Sequence, residues 1–190
     1  MRREFHVRFC EGGEVQSLSA TRLVVLCRSA QEAQAALGEV KAWVEANGLR
    51  LNLEKTHVGD CLEPGQGFEF LGYRFEAGRR WVRPKSIKAL RDRIRAKTRR
   101  TRGDSLRSII EELNPVLKGW FGYFKHAHPM TFSGVDGLVR RRLRAIRRKQ
   151  EKRPGLGRCL DDHKRWPKAF FADLGLFTMT EAHALASRSR

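Results

Sequence analysis

Two groups of cations stand at spacings suited to holding a polyanion. Lys88, Arg91, Arg95, Arg99 and Arg102 recur at i, i+3, i+7, i+11 and i+14, which on a helix lines them along one face, and Arg140, Arg141, Arg144, Arg147 and Arg148 crowd a second segment. The chemistry of such rows is phosphate neutralisation: each cation that meets a phosphate displaces a condensed counterion, so binding depends on salt without any base being read. Between the groups lies "GWFGYFKHAH", residues 119–128. Its rings could stack on unpaired bases, worth about 1 to 3 kcal/mol per base, but Trp120, Phe121 and Phe124 continue the apolar stripe of Leu113 and Leu117 and belong to a core. Tyr123 falls off that stripe and is the aromatic candidate for contact. His126 and His128 form an H-x-H pair with no evident third or fourth ligand, so they are expected to bond backbone or phosphate, and no metal site is expected.

The charge is concentrated where these rows lie. The formal net charge is +18, yet residues 79–168 hold 28 Lys and Arg against 8 Asp and Glu, while the rest of the 190 residues hold 11 against 13. A surface so unbalanced repels itself unless an anion is near, which makes nucleic acid the expected partner. No apolar stretch approaches the roughly 20 residues of a membrane helix, and "MRREFHVRFCEGG" lacks the apolar segment of about 7 to 15 residues that a secretory signal needs. A soluble, cytoplasmic protein with no membrane partner is expected. Cys10, Cys27, Cys61 and Cys159 are too scattered to clamp zinc and are expected as reduced thiols in or near a core.

Periodicity supplies the elements that position these groups. "LVVLC", residues 23–27, has the length of a buried strand; Ser29 can cap a helix whose Ala33, Leu37, Val40 and Val44 share a face, and Asn47-Gly48 stops it. "LRLN", "THVG" and "FEFLGYRF" follow as short segments parted by turns such as Pro64-Gly65. Phe68, Phe70 and Leu71 mark one largely buried strand, Gly72 a bulge or close backbone approach within it, and "AGRRWVRP" a hairpin partner. After Pro84 the pattern is helical only. A helix capped by Ser86 buries Ile87, Leu90 and Ile94; a second, capped by Asp104 or Ser105, buries Leu106, Ile109, Ile110 and Leu113 and is kinked or restarted at Asn114-Pro115. A third starts near Ser133, buries Val135, Leu138, Leu143 and Ile146, and exposes its arginines. "KRPGLGR" reads as a flexible basic loop, and "RWPKAFFADLGLF" as a cover for one end of the bundle. The fold class is α+β, a small antiparallel sheet followed by an all-α bundle.

Three blocks, "GLRLNLEKTHV", "GFEFLGYRF" and "LNPVLKGWFGYFKHAHP", resemble in order those of the reverse transcriptase and maturase encoded by bacterial group II introns, over about Leu23 to Ser187. The resemblance implies three parts: an unmatched segment 1–22, the C-terminal part of a polymerase palm over 23–84, and the maturase-specific or thumb domain over 85–190, which in that family grips intron RNA. It also places Gly48, Asn52, Glu54 and Lys55 beside primer and template, where Lys55 either holds a phosphate or is the solvated lysine of an ordinary turn.

In that family a Tyr-Ala-Asp-Asp-Phe block supplies carboxylates to two magnesium ions. Here it falls on Ser19, Ala20, Thr21, Arg22 and Leu23, so both carboxylates are missing and an arginine stands where a dication would sit. The family uses Mg2+, but no cofactor is expected for this chain, and no activity is expected of it alone. It is read as an RNA-binding fragment supporting splicing, from a truncated or frameshifted frame, with no cysteine-rich nuclease domain after Trp166. Two alternatives stand beside that reading: part of an RNA-directed DNA polymerase completed by another chain, or a remnant without function. Expected partners are structured intron RNA, a DNA target, and a second copy through an exposed sheet edge near residues 23–27. The RNA-contact residues are Lys55, Lys88, Arg91, Arg95, Arg99, Arg102, Tyr123, Arg140, Arg141, Arg144 and Arg148.

Overall fold

The computed structural model describes residues 5–10 as backbone, and residues 22–52 and 56–188. The fold is α+β, and the chain divides into two compact units, Met1–Trp81 and Val82–Arg190.

The first unit is built on β1 (Phe5–Cys10), β2 (Arg22–Cys27), α1 (Ala30–Ala46) and β3 (His57–Asp60), with strand order β2-β1-β3 and both pairings antiparallel. Strand β1 is the centre of this sheet, a role the sequence reading did not give to residues 1–22. Helix α1 starts where Ser29 Oγ accepts the Glu32 N–H at 3.1 Å, and its Ala33 and Val44 are buried, with Leu37 and Val40 partly so. The helix covers only one face of the sheet. Val25 and Cys27 pack toward it, whereas Leu26 is 60% exposed, so β2 is half-buried and not the fully buried strand expected. It lies at an edge of the sheet.

The segment read as one strand across Phe68 to Phe75 is two, β4 (Phe68–Phe70) and β5 (Tyr73–Glu76), followed by β6 (Arg79–Val82) in the order β4-β5-β6. Leu71 and Gly72 both have positive φ, 47° and 80°, which is the two-residue turn whose twist matches a hairpin. Gly72 therefore marks the turn itself, and Leu71 is 64% exposed at its tip. Phe68 and Phe75, opposite each other in register, stack at 5.0 Å.

The second unit packs α2 (Pro84–Lys97), α3 (Leu106–Phe124) and α4 (Met130–Gln150), closed by α5 (Leu160–Arg165), α6 (Lys168–Asp173) and α7 (Met179–Arg188). Pro84 starts α2 at its first turn, where its fixed φ suits a helix and its missing N–H costs nothing, so Ser86 lies inside the helix rather than capping it. For α3 the cap is Ser105, whose Oγ accepts the Ser108 N–H at 3.1 Å, and the helix runs through Pro115 without a restart. Asn114 turns its amide outward instead: Nδ2 donates to Gly175 O at 2.8 Å, and Oδ1 accepts the Phe177 N–H at 2.9 Å. The stripes meet as their spacing requires, with Leu90, Ile94, Ile109, Ile110, Leu113, Leu117 and Leu143 buried, each worth roughly 1.5 to 3 kcal/mol. Helix α4 begins three residues earlier than expected, which brings Phe132 into the core.

Candidate nucleic-acid interface

Lys88, Arg91 and Arg95 project from exposed positions along α2, at the spacing that makes them one row. The row does not continue straight to Arg102, because the helix ends at Lys97. Thr98 Oγ1 donates back to Ile94 O at 2.6 Å, and Arg142 of α4 reaches across to donate to Thr98 Oγ1 at 2.5 Å and Thr98 O at 2.7 Å. A guanidinium thus satisfies the helix end. Arg99 lies exposed just past this stop.

Arg102 is turned back on the protein. It bonds Asp104, and donates to both oxygens of Glu112 at 2.6 and 3.0 Å, clasping the α2–α3 connection to α3. These two carboxylates hold its guanidinium more firmly protonated than usual, so Arg102, expected among the phosphate contacts, is already paired within the protein. Arg95 meets Asp92 at 2.7 Å with both side chains about half exposed, a pair too solvated to compete strongly with a phosphate.

The second arginine group divides by the face of α4 each residue occupies. Arg141 is exposed and Arg140 half-buried. Arg144 is 4% exposed: its Nε donates to Trp166 O at 3.0 Å, its Nη1 lies 3.4 Å from His163 Nε2, and its guanidinium sits 5.6 Å from the Phe171 ring centre. Burial, and then the nearby Arg140 charge, make it easier to deprotonate than a free arginine, with Asp162 acting in the other direction. Arg148 donates to Asp162 at 2.6 Å and to Pro154 O at 2.7 Å. The expectation that Arg144 and Arg148 are exposed contacts is therefore corrected. It assumed one buried side of α4, whereas α5, α6 and the 152–159 loop cover a second. That loop, read as flexible, is pinned by Arg148 and by Gly157, where φ is +71° and a Cβ would stand 2.7 Å from Ala145 N. Arg147 pairs with Glu151 at 3.2 Å, and Glu151 also meets Arg165 at 2.9 Å.

Tyr123 is 57% exposed, edge-on to Phe124 at 4.7 Å, beside a groove lined by Leu90, Arg93, Val116 and Trp120. Trp120, Phe121 and Phe124 join the packing through ring contacts with one another and with Phe132. Lys55 and Thr21 lie outside the described residues. Cys27 and Cys61 are buried, while Cys159 is exposed with its thiol held by Asp162 at 3.0 Å and Arg148 at 3.3 Å.

Two cations that the sequence reading passed over face Arg140 and Arg141. Arg158 and Lys168 line, with His163 and the guanidinium of Arg144, a cleft of about 540 Å³ beside α4. The only signal for Arg158 was its place in the basic loop "KRPGLGR"; nothing marked Lys168.

Residues 87–166, from the first turn of α2 through Trp166, match the model of the group II intron, maturase-specific domain. This stretch, part of the 190-residue chain, is thus similar to a maturase-specific domain. Its matched region holds every cation of the α2 row and of α4. No curated protein matches the chain. Among the described residues, no helix is long and apolar enough to cross a membrane.

Proposed function

We propose that the maturase domain binds structured intron RNA through its phosphates, by Lys88, Arg91 and Arg99 on one side and Arg140 and Arg141 on another, and that the chain itself does not polymerise nucleotides. One observation carries the first part: the acids of the basic region are already committed. Asp92, Asp104, Glu112, Glu151 and Asp162 each meet an arginine, and Asp136 holds the start of α7. Six of the eight acids among residues 79–168 are thus engaged, which leaves only Glu111 and Asp161 of that region to offset the outward cations. RNA duplexes expose backbone while hiding the base edges of their narrow major groove, which suits rows of cations rather than base-reading side chains. The second part rests on Thr21 and Arg22 standing where the resembling polymerases carry carboxylates.

Filter binding of the whole chain to folded intron RNA across a salt series tests the first part. K88Q/R91Q/R99Q should weaken binding and flatten the salt slope by about 0.7 to 0.9 per lost contact, with the melting temperature unchanged. R142Q should instead lower the melting temperature, because it uncaps α2. Affinity indifferent to salt, or an unaltered slope in the triple variant, would overturn the reading. Primer extension on an RNA template with magnesium or manganese tests the second part, and extension by the isolated chain refutes it.

A further inference from the structure

The cleft beside α4 is unlike the rest of the basic surface, because one of its cations is buried. Arg144 lies at its floor with no carboxylate within ion-pair distance among the described residues; Asp162, the nearest candidate, is bonded to Arg148 and Cys159 instead. A buried guanidinium without an anion is costly, since water has been removed and nothing replaces its charge solvation. Its described bonds are to a carbonyl oxygen, Trp166 O, and to the His163 ring, and they leave Nη2 unused. Arg140, Arg141, Arg158 and Lys168 stand around the same opening, and no acid lines it. Arg102 and Arg148 are answered by carboxylates, and Arg142 by three oxygens at the end of α2. Arg144 has a single oxygen partner.

The wall is also built for close approach. Gly157 brings the loop backbone against α4 in a conformation that favours glycine, and a Cβ there would stand 2.8 Å from that of Arg144. Gly137, on the α4 side, leaves the opening clear, with nothing within 4 Å of where its Cβ would be. A planar fork at the floor with several longer cations at the rim is the arrangement that recognises a tetrahedral oxyanion, the fork fixing two oxygens and the rim closing over the others.

We propose that this cleft is a phosphate seat for one backbone phosphodiester of the bound RNA, with Arg144 as the buried fork and Arg158 and Lys168 as the closing cations. The proposal rests on the RNA-binding reading above and narrows it to one place. The seat fixes the register of the RNA on α4, while the α2 row supplies charge without register.

Substituting Arg144 risks the fold, so the test uses the exposed pair, R158Q/K168Q, in the whole chain. Two measurements separate the seat from the general reading. The first is thermal melting in inorganic phosphate against chloride at equal ionic strength, where wild type should gain about 2 °C or more and the variant little, since a ligand that binds only the folded state raises its stability. The second is intron RNA affinity, which should fall at least about tenfold in the variant with the salt slope flattened by about 1.4 to 1.8, two contacts' worth. An equal phosphate response in the two proteins overturns the seat. So does a lost phosphate response with unaltered RNA affinity, which would leave an anion site that RNA does not use. If wild type responds to phosphate and the variant does not, while neither binds intron RNA, the cleft is an anion site, and the RNA-binding reading fails together with the seat that rests on it.

Discussion

Asp136 is the acid whose removal should cost this domain most. It lies on α4, 4% exposed, and its carboxylate receives the start of α7: Oδ1 accepts the Met179 N–H at 3.1 Å, and Oδ2 accepts the Thr180 N–H at 3.0 Å and the Thr180 hydroxyl at 2.6 Å. The first N–H groups of a helix have no partner within it, so a side chain from another helix is performing the capping that a neighbouring Ser or Asp usually performs. Asp136→Ala strands the Met179 N–H in a buried place, a loss of about 1 to 3 kcal/mol, and removes the cap and charge from a helix N-terminus, about 0.5 to 2 kcal/mol more. The Thr180 groups are partly exposed and recover water. The total is about 3 kcal/mol, which for a unit of this size lowers the melting temperature by about 10 °C or more. Asp136→Asn keeps the shape and one acceptor oxygen, and should fall between. Urea unfolding and thermal melting measure both, with RNA affinity checked below the transition, where it should be unchanged. If the alanine variant lies within about 0.5 kcal/mol of wild type, α7 does not depend on this carboxylate and the accounting is wrong.

Two further outcomes follow from the same reasoning. Burial would raise the Asp162 carboxyl, but the Cys159 thiol and the Arg148 guanidinium outweigh it and hold the group below its ordinary range; its contribution to stability is complete above the unfolded value and lost as pH falls through the lower folded one, so acid titration of the melting temperature should show a loss below about pH 4 that is reduced in Asp162→Asn. At the edge of the first sheet, the 60% exposed Leu26 offers apolar surface on a strand that pairs on one side only among the described residues; sedimentation should show concentration-dependent association of the chain that Leu26→Lys suppresses, and a monomer at all concentrations would remove that idea.

What the sequence made legible were the local periodicities. The seam of α2, the stripe of α3 and the face of α1 each need only the i, i+3, i+4 pattern, and burial followed it at Leu90, Ile94, Leu113 and Val44. The starts were legible where a residue type decides them, as at Ser29 and Ser105. "FHVRFC" carries a period-two alternation at Phe5, Val7 and Phe9, but its place between β2 and β3 depends on pairing with residues roughly 20 and 50 positions away. The hairpin at Leu71-Gly72 was hidden because a leucine rarely takes positive φ and the apolar run reads through it. Among the site residues, Lys88, Arg91 and Arg141 are exposed as a single buried seam implies. Arg102, Arg144 and Arg148 are not, because Glu112, Trp166 and Asp162 lie 10, 22 and 14 residues away and only the fold brings them near.

The division of labour among the arginines has a consequence for salt. An exposed cation on α2 interacts with phosphate across water, where the Debye length is about 8 Å at physiological ionic strength, so added salt removes that attraction quickly. Arg148 and Asp162, whose side chains are 16% and 3% exposed, exchange their charges where little salt can enter. Added salt should thus release RNA from the domain long before it loosens the pins that shape it, and it should also relieve the mutual repulsion of the uncompensated cations. The helical unit is then held together by buried acids such as Asp136 and Asp162, and the arginines it leaves without acids are the ones the proposed reading offers to RNA.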